Sequence, residues 1–145
     1  MHVKTVGGYV RILILLTLII FFSSACYRVT KIPDEVVPYY DRIYTVTKIV
    51  PTSSVTFGTL PGTIVGLCLL EKHLIILDKG YWSKASDLMK EQLIFHEVGH
   101  CDFNFHHKSG TIMGANLVPE FEYELYRNEL LTEYAANVRK GSNND

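Results

Sequence analysis

The stretch "LMKEQLIFHEVGHCDFNFHH", residues 88–107, decides how the chain is read. It holds no helix breaker before Gly99, and Leu88, Gln92, His96 and His100 recur every four residues, which puts them on one helical face. Ser83 or Ser86 can cap this helix, with Asp87 in its first turn. His96, Glu97 and His100 form the pattern H-E-x-x-H, in which two imidazoles one turn apart reach a single metal ion. Zinc suits such a pair, because it takes imidazole nitrogen in tetrahedral geometry. Glu97 is rotated around the helix from His96, so it faces a metal-bound water and can accept that water's proton as it attacks a carbonyl. The pentapeptide also arises by chance on exposed helices. Here the apolar run upstream and the histidines downstream favour the metal. Gly99 costs the helix about 1 kcal/mol relative to alanine, which implies close packing against another backbone.

A catalytic zinc site needs a third protein ligand and one open position. His106 and His107 compete for the third place. His106 satisfies the longer pattern H-E-x-x-H-x-x-G-x-x-H, but Phe103 fills the glycine slot where the chain must turn out of the helix. Asn104 tolerates a left-handed turn better than Phe103, and a turn there selects His107. The reading favours His107 and keeps His106 as the alternative. Asp102 either orients a ligand or is simply solvated. A fourth ligand from His106, Asp102 or Cys101 would instead close the site and make it a non-catalytic, structural or interaction module.

Upstream, Lys4 and Arg11 precede an eleven-residue apolar run, "ILILLTLIIFF" (12–22), and "SSAC" brings small residues up to Cys26. This has the shape of a secretory signal and is too short to span a membrane. It resembles a bacterial lipoprotein signal, in which Cys26 is lipidated, although Ser23 stands where such signals usually carry an aliphatic residue. The expected organisation is a signal over 1–25, a tether over 26–38 and one domain over 39–145. The expected location is outside the cytoplasm, membrane-anchored on the periplasmic or cell-surface side. Removing Lys4 and Arg11 leaves 12 basic against 15 acidic residues, a net charge of −3. No basic run appears, so nucleic acid is not an expected partner. In an oxidising compartment Cys68 and Cys101 either bridge or remain two buried thiols.

The spacing of Tyr40, Ile43, Thr47 and Val50 favours a helix over 39–50. "SVTF" (54–57) reads as a strand, "GTLPG" (58–62) as a turn, and "TIVGLCLL" with "HLIILD" as a hairpin joined by Glu71-Lys72. A last helix begins after Pro119 and ends near Gly141. Its tyrosine-rich stretch "FEYELY" (121–126) reads as core, and His73 as a strand-edge residue.

The segment from Thr63 to Met113 resembles a family of small bacterial metallopeptidases, many of them lipoproteins, related to the metzincin-type zincins. The matching residues are "GLC" (66–68), "IILDKGYW" (75–82), "ASDLMKEQLIFHEVGHC" (85–101), His107 and "GTIMG" (110–114). The resemblance implies that the third ligand follows H-E-x-G-H-C by six residues, at His107. It also implies that Met113 lies in a methionine turn beneath the metal. Phe105 stands where that family often carries an arginine.

The expectation is a compact α+β, zincin-like domain with a small sheet on the H-E-x-x-H helix. It would bind one zinc ion and hydrolyse peptide bonds in a peptide or protein substrate. The alternative is a non-catalytic zinc-binding lipoprotein.

Overall fold

The computed structural model describes residues 31–141; the signal segment and Cys26 lie outside the described residues. Over these described residues the fold is mixed α+β, with four helices and a small three-stranded sheet. In chain order the elements are α1 (Val37–Thr47), β1 (Ser54–Gly58), β2 (Gly66–Leu69), β3 (Leu74–Asp78), α2 (Lys79–Trp82), α3 (Asp87–Phe103) and α4 (Glu120–Gly141). Among the described residues no helix is long and apolar enough to cross a membrane.

Helix α1 buries Tyr39, Tyr40, Ile43 and Thr47 and stops at Lys48, which takes a left-handed φ of 65°. Val50 therefore falls beyond the helix and is exposed, contrary to its place in the helical spacing. Nor is the segment before α1 wholly a tether. Val36 is fully buried, Val55 N–H donates to the Lys31 carbonyl (2.9 Å), and Trp82 Nε1 donates to Glu35 Oε2 (2.7 Å).

The sheet has the order β1-β3-β2, with β3 parallel to β1 and antiparallel to β2. The expected hairpin is present, closed by a short 3₁₀ turn over Leu70–Lys72 and by His73 at φ 46°. Its first strand is shorter than the apolar run, since Thr63–Val65 stay outside the ladder. The parallel pairing of β1 with β3 has no counterpart in the sequence reading. Alternation along β3 buries Ile75 and Leu77, and α3 packs against this hairpin.

Helix α3 begins at Ser86, whose hydroxyl accepts from Met89 N–H (3.3 Å). It ends at Asn104, left-handed at φ 51°, where the turn was expected. From Glu91 to Gly99 every residue is buried. Glu91, fully enclosed, accepts from Arg127 Nε (2.5 Å) and Nη2 (2.8 Å), from the Tyr123 hydroxyl (2.8 Å) and from Arg42 Nη1. One carboxylate thus joins α3 to both α1 and α4. Burial alone would push its pKa up, but the hydrogen bonds from Arg127, Arg42 and Tyr123 outweigh burial and hold it below the usual carboxylate range. The "FEYELY" stretch divides: Tyr123 is core, whereas Phe121, Leu125 and Tyr126 are exposed.

Glu91→Gln should lower stability by about 3 kcal/mol at pH 7, at the low end for a buried ion pair because both arginines keep part of their side chains in water. Since the folded pKa lies below the unfolded value of about 4.3, the wild-type contribution is full above that pH. It disappears as pH falls through the folded pKa. Urea unfolding of both proteins at pH 7 and at pH 3 should therefore show a gap that narrows in acid; an equal gap at both pH values contradicts the assignment.

Candidate metal centre

His96 and His100 project from the same face of α3, and the chain reverses at Asn104 so that His107 returns to them. Phe105 N–H donates to the Gly99 carbonyl (2.9 Å), which fixes this reversal. The three histidines offer ligand atoms within 4.8 Å of one another. His100 Nε2 stands 3.0 Å from His96 Nε2 and 3.1 Å from His107 Nε2. His96, His100 and His107 thus lie close enough to bind one metal ion. His106 borders the same cavity but is exposed and stays outside that cluster.

The chemistry of the donor set fits a cation. His96 Nδ1 donates to the Ile112 carbonyl (2.9 Å) and His100 Nδ1 to the Phe105 carbonyl (2.6 Å). A carbonyl only accepts, so each Nδ1 carries the proton and each Nε2 presents a lone pair. Two lone pairs facing each other at 3.0 Å repel unless a cation lies between them. Burial pushes the His96 pKa down to about 4, and burial likewise lowers that of His100, so both rings are neutral at neutral pH. Neutral imidazole is the ligating form.

Glu97 sits on the same helix, 4% exposed, and burial pushes its pKa up to about 7. Its carboxyl abuts Gly66 of β2, where an added Cβ would overlap Glu97 Oε1 and lie 2.8 Å from Cδ. A side chain at residue 66 would displace the carboxylate, so glycine is required there for space. Gly99 plays the matching part below. Its missing Cβ leaves room for the Met113 sulfur, with Met113 Cε 3.0 Å from where that Cβ would be. Gly99 thus packs against a side chain, not against the backbone that the sequence reading expects. Met113 is buried in a tight turn, in which Gly114 N–H donates to the Thr111 carbonyl (3.0 Å) and Met113 N–H to Thr111 Oγ1 (3.0 Å). The same turn presents the Ile112 carbonyl to His96.

Two of the residues that might have closed the site are engaged elsewhere. Cys101 forms a disulfide with Cys68, across a Cα–Cα distance of 5.6 Å. Asp102 neither orients a histidine nor stands in solvent. Its carboxylate accepts from the backbone and hydroxyl groups of Thr52 and Ser53 at 2.5–3.1 Å, and so ties the loop before β1 to the end of α3. His73 is exposed at its turn and takes no part.

Several contributors escaped the sequence reading. The carbonyls of Ile112 and Phe105 leave no trace in residue type. The Phe105 ring packs against Phe103 and Tyr134, with centroids 5.7 and 5.6 Å away. Gln92, on the histidine face and fully buried, pairs its side-chain amide with the backbone of Val118: nitrogen to carbonyl 3.0 Å, oxygen to N–H 2.6 Å. A lone amide one turn before His96 was the visible signal for it. No protein-family model, curated protein or solved structure matches the chain.

Metal content should separate the adjacent histidines. His100→Ala and His107→Ala should each weaken zinc binding by at least about a hundredfold, more than loss of an outer partner costs. His106→Ala should keep its metal. Competition against a chromogenic chelator measures all three, and metal loss in His106→Ala alone would move the ligand by one residue.

Proposed function

We propose that the chain is a zinc-dependent metallopeptidase with a zincin-like domain, held at a membrane through lipidated Cys26. The observation that carries this reading is the convergence of three imidazole Nε2 atoms beside a buried carboxyl on the same helix. Imidazole ligands suit zinc. His96, His100 and His107 would hold it, and when bound it supplies the Lewis acidity that polarises a peptide carbonyl and acidifies water.

The protein's own groups do the rest. Glu97 takes a proton from the attacking water on a carboxylate oxygen and passes it to the departing amine nitrogen. Gly66 keeps the Glu97 carboxylate in place, and the Ile112 and Phe105 carbonyls hold the histidines in the ligating tautomer. Met113 fills the space under α3.

Substrate backbone has an edge to join. Asp78 N–H donates to the Val65 carbonyl (2.9 Å), so the pair Gly66–Leu77 is of the type without mutual hydrogen bonds. By alternation Gly66 and Cys68 turn their N–H and C=O groups away from β3, towards the free edge of β2. An extended peptide can add there as a further strand, with its backbone beside Glu97. The engagement of Cys101 and Asp102 elsewhere favours an open coordination position over a closed structural site. The disulfide favours an oxidising, exported location.

Glu97→Gln keeps the shape of the side chain but cannot accept a proton. Zinc should remain stoichiometric while peptide cleavage falls by at least about a hundredfold, within the range for a lost general base. His100→Ala should lose zinc and cleavage together. Full activity in Glu97→Gln would end the general-base assignment. For the anchor, Cys26→Ser should release the protein from the membrane fraction or stall its processing, read by fractionation and intact mass.

A further inference from the structure

Chain length ties one end of the fold to the proposed anchor. Five peptide units separate Cys26 from Lys31, the first described residue, and together they span at most about 18 Å. Lys31 is fixed beside the start of β1, where its N–H donates to Ser54 Oγ (3.3 Å) and its carbonyl accepts from Val55 N–H (2.9 Å). Ser54 pairs with Leu74, and Leu74 with Leu69, so all three strands reach the same row there. The 3₁₀ turn Leu70–Lys72 joins β2 to β3 just beyond that row. Strand β3 lies two strand spacings from Lys31, about 10 Å, so the turn and Lys31 share one end of the molecule.

The side chains exposed at that end suit a lipid surface. Leu70 is 50% exposed, and Val50, four residues before Ser54, is 67% exposed. Lys31 and Lys72 stand with Leu70, and Lys48 with Val50. All three lysines are exposed, and none has a carboxylate partner among the described residues. Facing them are Glu71 on the turn and Asp102, whose oxygens already accept from Thr52 and Ser53. Anionic phospholipid attracts such lysines, and the headgroup layer takes up apolar side chains. The other exposed apolar group, Phe121, Leu125 and Tyr126 on α4, has the wrong sign, since Glu120, Glu122, Glu124 and Glu129 surround it. It also lies towards the opposite end of the sheet. Glu120 is near enough to Tyr81, just past β3, for its charge to add to burial in raising the Tyr81 pKa.

We infer that this end of the molecule docks on the bilayer, with Leu70 and Val50 in the headgroup layer and Lys31, Lys48 and Lys72 on anionic phospholipid. The inference rests on the lipid anchor proposed at Cys26; the docking face itself is read from the described residues. Leu70 also lines the cavity beside the three histidines, so docking holds the rim of that cavity against the membrane surface.

Tryptophan fluorescence tests this on protein purified from the membrane fraction. The protein is reconstituted in vesicles of phosphatidylcholine and phosphatidylglycerol, with or without bromine on the acyl chains near the headgroup. Trp82, the one native tryptophan, is 4% exposed and supplies an unquenched reference. Leu70→Trp and Val50→Trp, both at exposed positions, should each lose emission in the brominated vesicles, whereas Phe121→Trp should not. Lys31→Gln or Lys72→Gln, added singly to Leu70→Trp, should lower the ratio of docked to undocked protein about fivefold, the factor for one lysine at an anionic surface. Omitting phosphatidylglycerol should lower it further. Intact mass reports the anchor separately. Protein without lipid on Cys26 would end the anchor reading and this inference with it. Lipidated protein in which Leu70→Trp and Val50→Trp are quenched no more than Phe121→Trp would overturn the inference alone. So would quenching that is indifferent to both lysines and to phosphatidylglycerol. A blue shift at Leu70→Trp that grows with protein density, without quenching by bromine, would also overturn it and assign the face to a second copy of the chain.

Discussion

The carboxylate of Glu91 is the interaction on which the arrangement of helices depends. It is fully enclosed, and an ionised carboxylate in that position is tolerable only with several donors around it. Arg42 comes from α1, and Tyr123 and Arg127 come from α4, so satisfying one charge sets how both helices lie on α3. The helix that carries His96 and His100 is thereby clamped a turn and a half before its first histidine. A helix so held can present His96, Glu97 and His100 to a cavity without relying on a thick apolar core.

The same demand recurs along α3. Four polar side chains, Glu91, Gln92, His96 and Glu97, cross the buried part of the helix. Glu91 meets arginines, Gln92 meets the Val118 backbone, and His96 meets the Ile112 carbonyl. These partners lie in segments far apart in sequence, and each contact therefore fixes a helix or a loop as well as a side chain. Glu97 lines the cavity beside His96, which is where its proton chemistry would be needed.

The disulfide works near the other end of the helix. It closes a loop of 33 residues, for which the chain-entropy account gives about 3–4 kcal/mol of stabilisation. In a domain this small that is a large share of the total. It also joins the edge strand to the residue after His100. The strand that would receive a substrate and the helix that would hold the metal are thus one unit.

Residue pattern alone determined the local features. The period of four in α3, a serine cap at 83 or 86, the reversal at Asn104 and the preference for His107 over His106 all follow from conformational preferences that act within a few residues; the fold settles the cap at Ser86. The hairpin of β2 with β3 was legible for the same reason. Tertiary structure decided what depends on distant partners. It put β1 parallel to β3, drew Val36 into the core, sent Asp102 to the Thr52–Ser53 backbone, bridged Cys68 to Cys101, and set Met113 rather than a backbone against Gly99. Backbone carbonyls such as those of Ile112 and Phe105 are present at every residue. Only the folded chain selects which of them face an imidazole, because hydrogen bonds across space carry no signature in residue type.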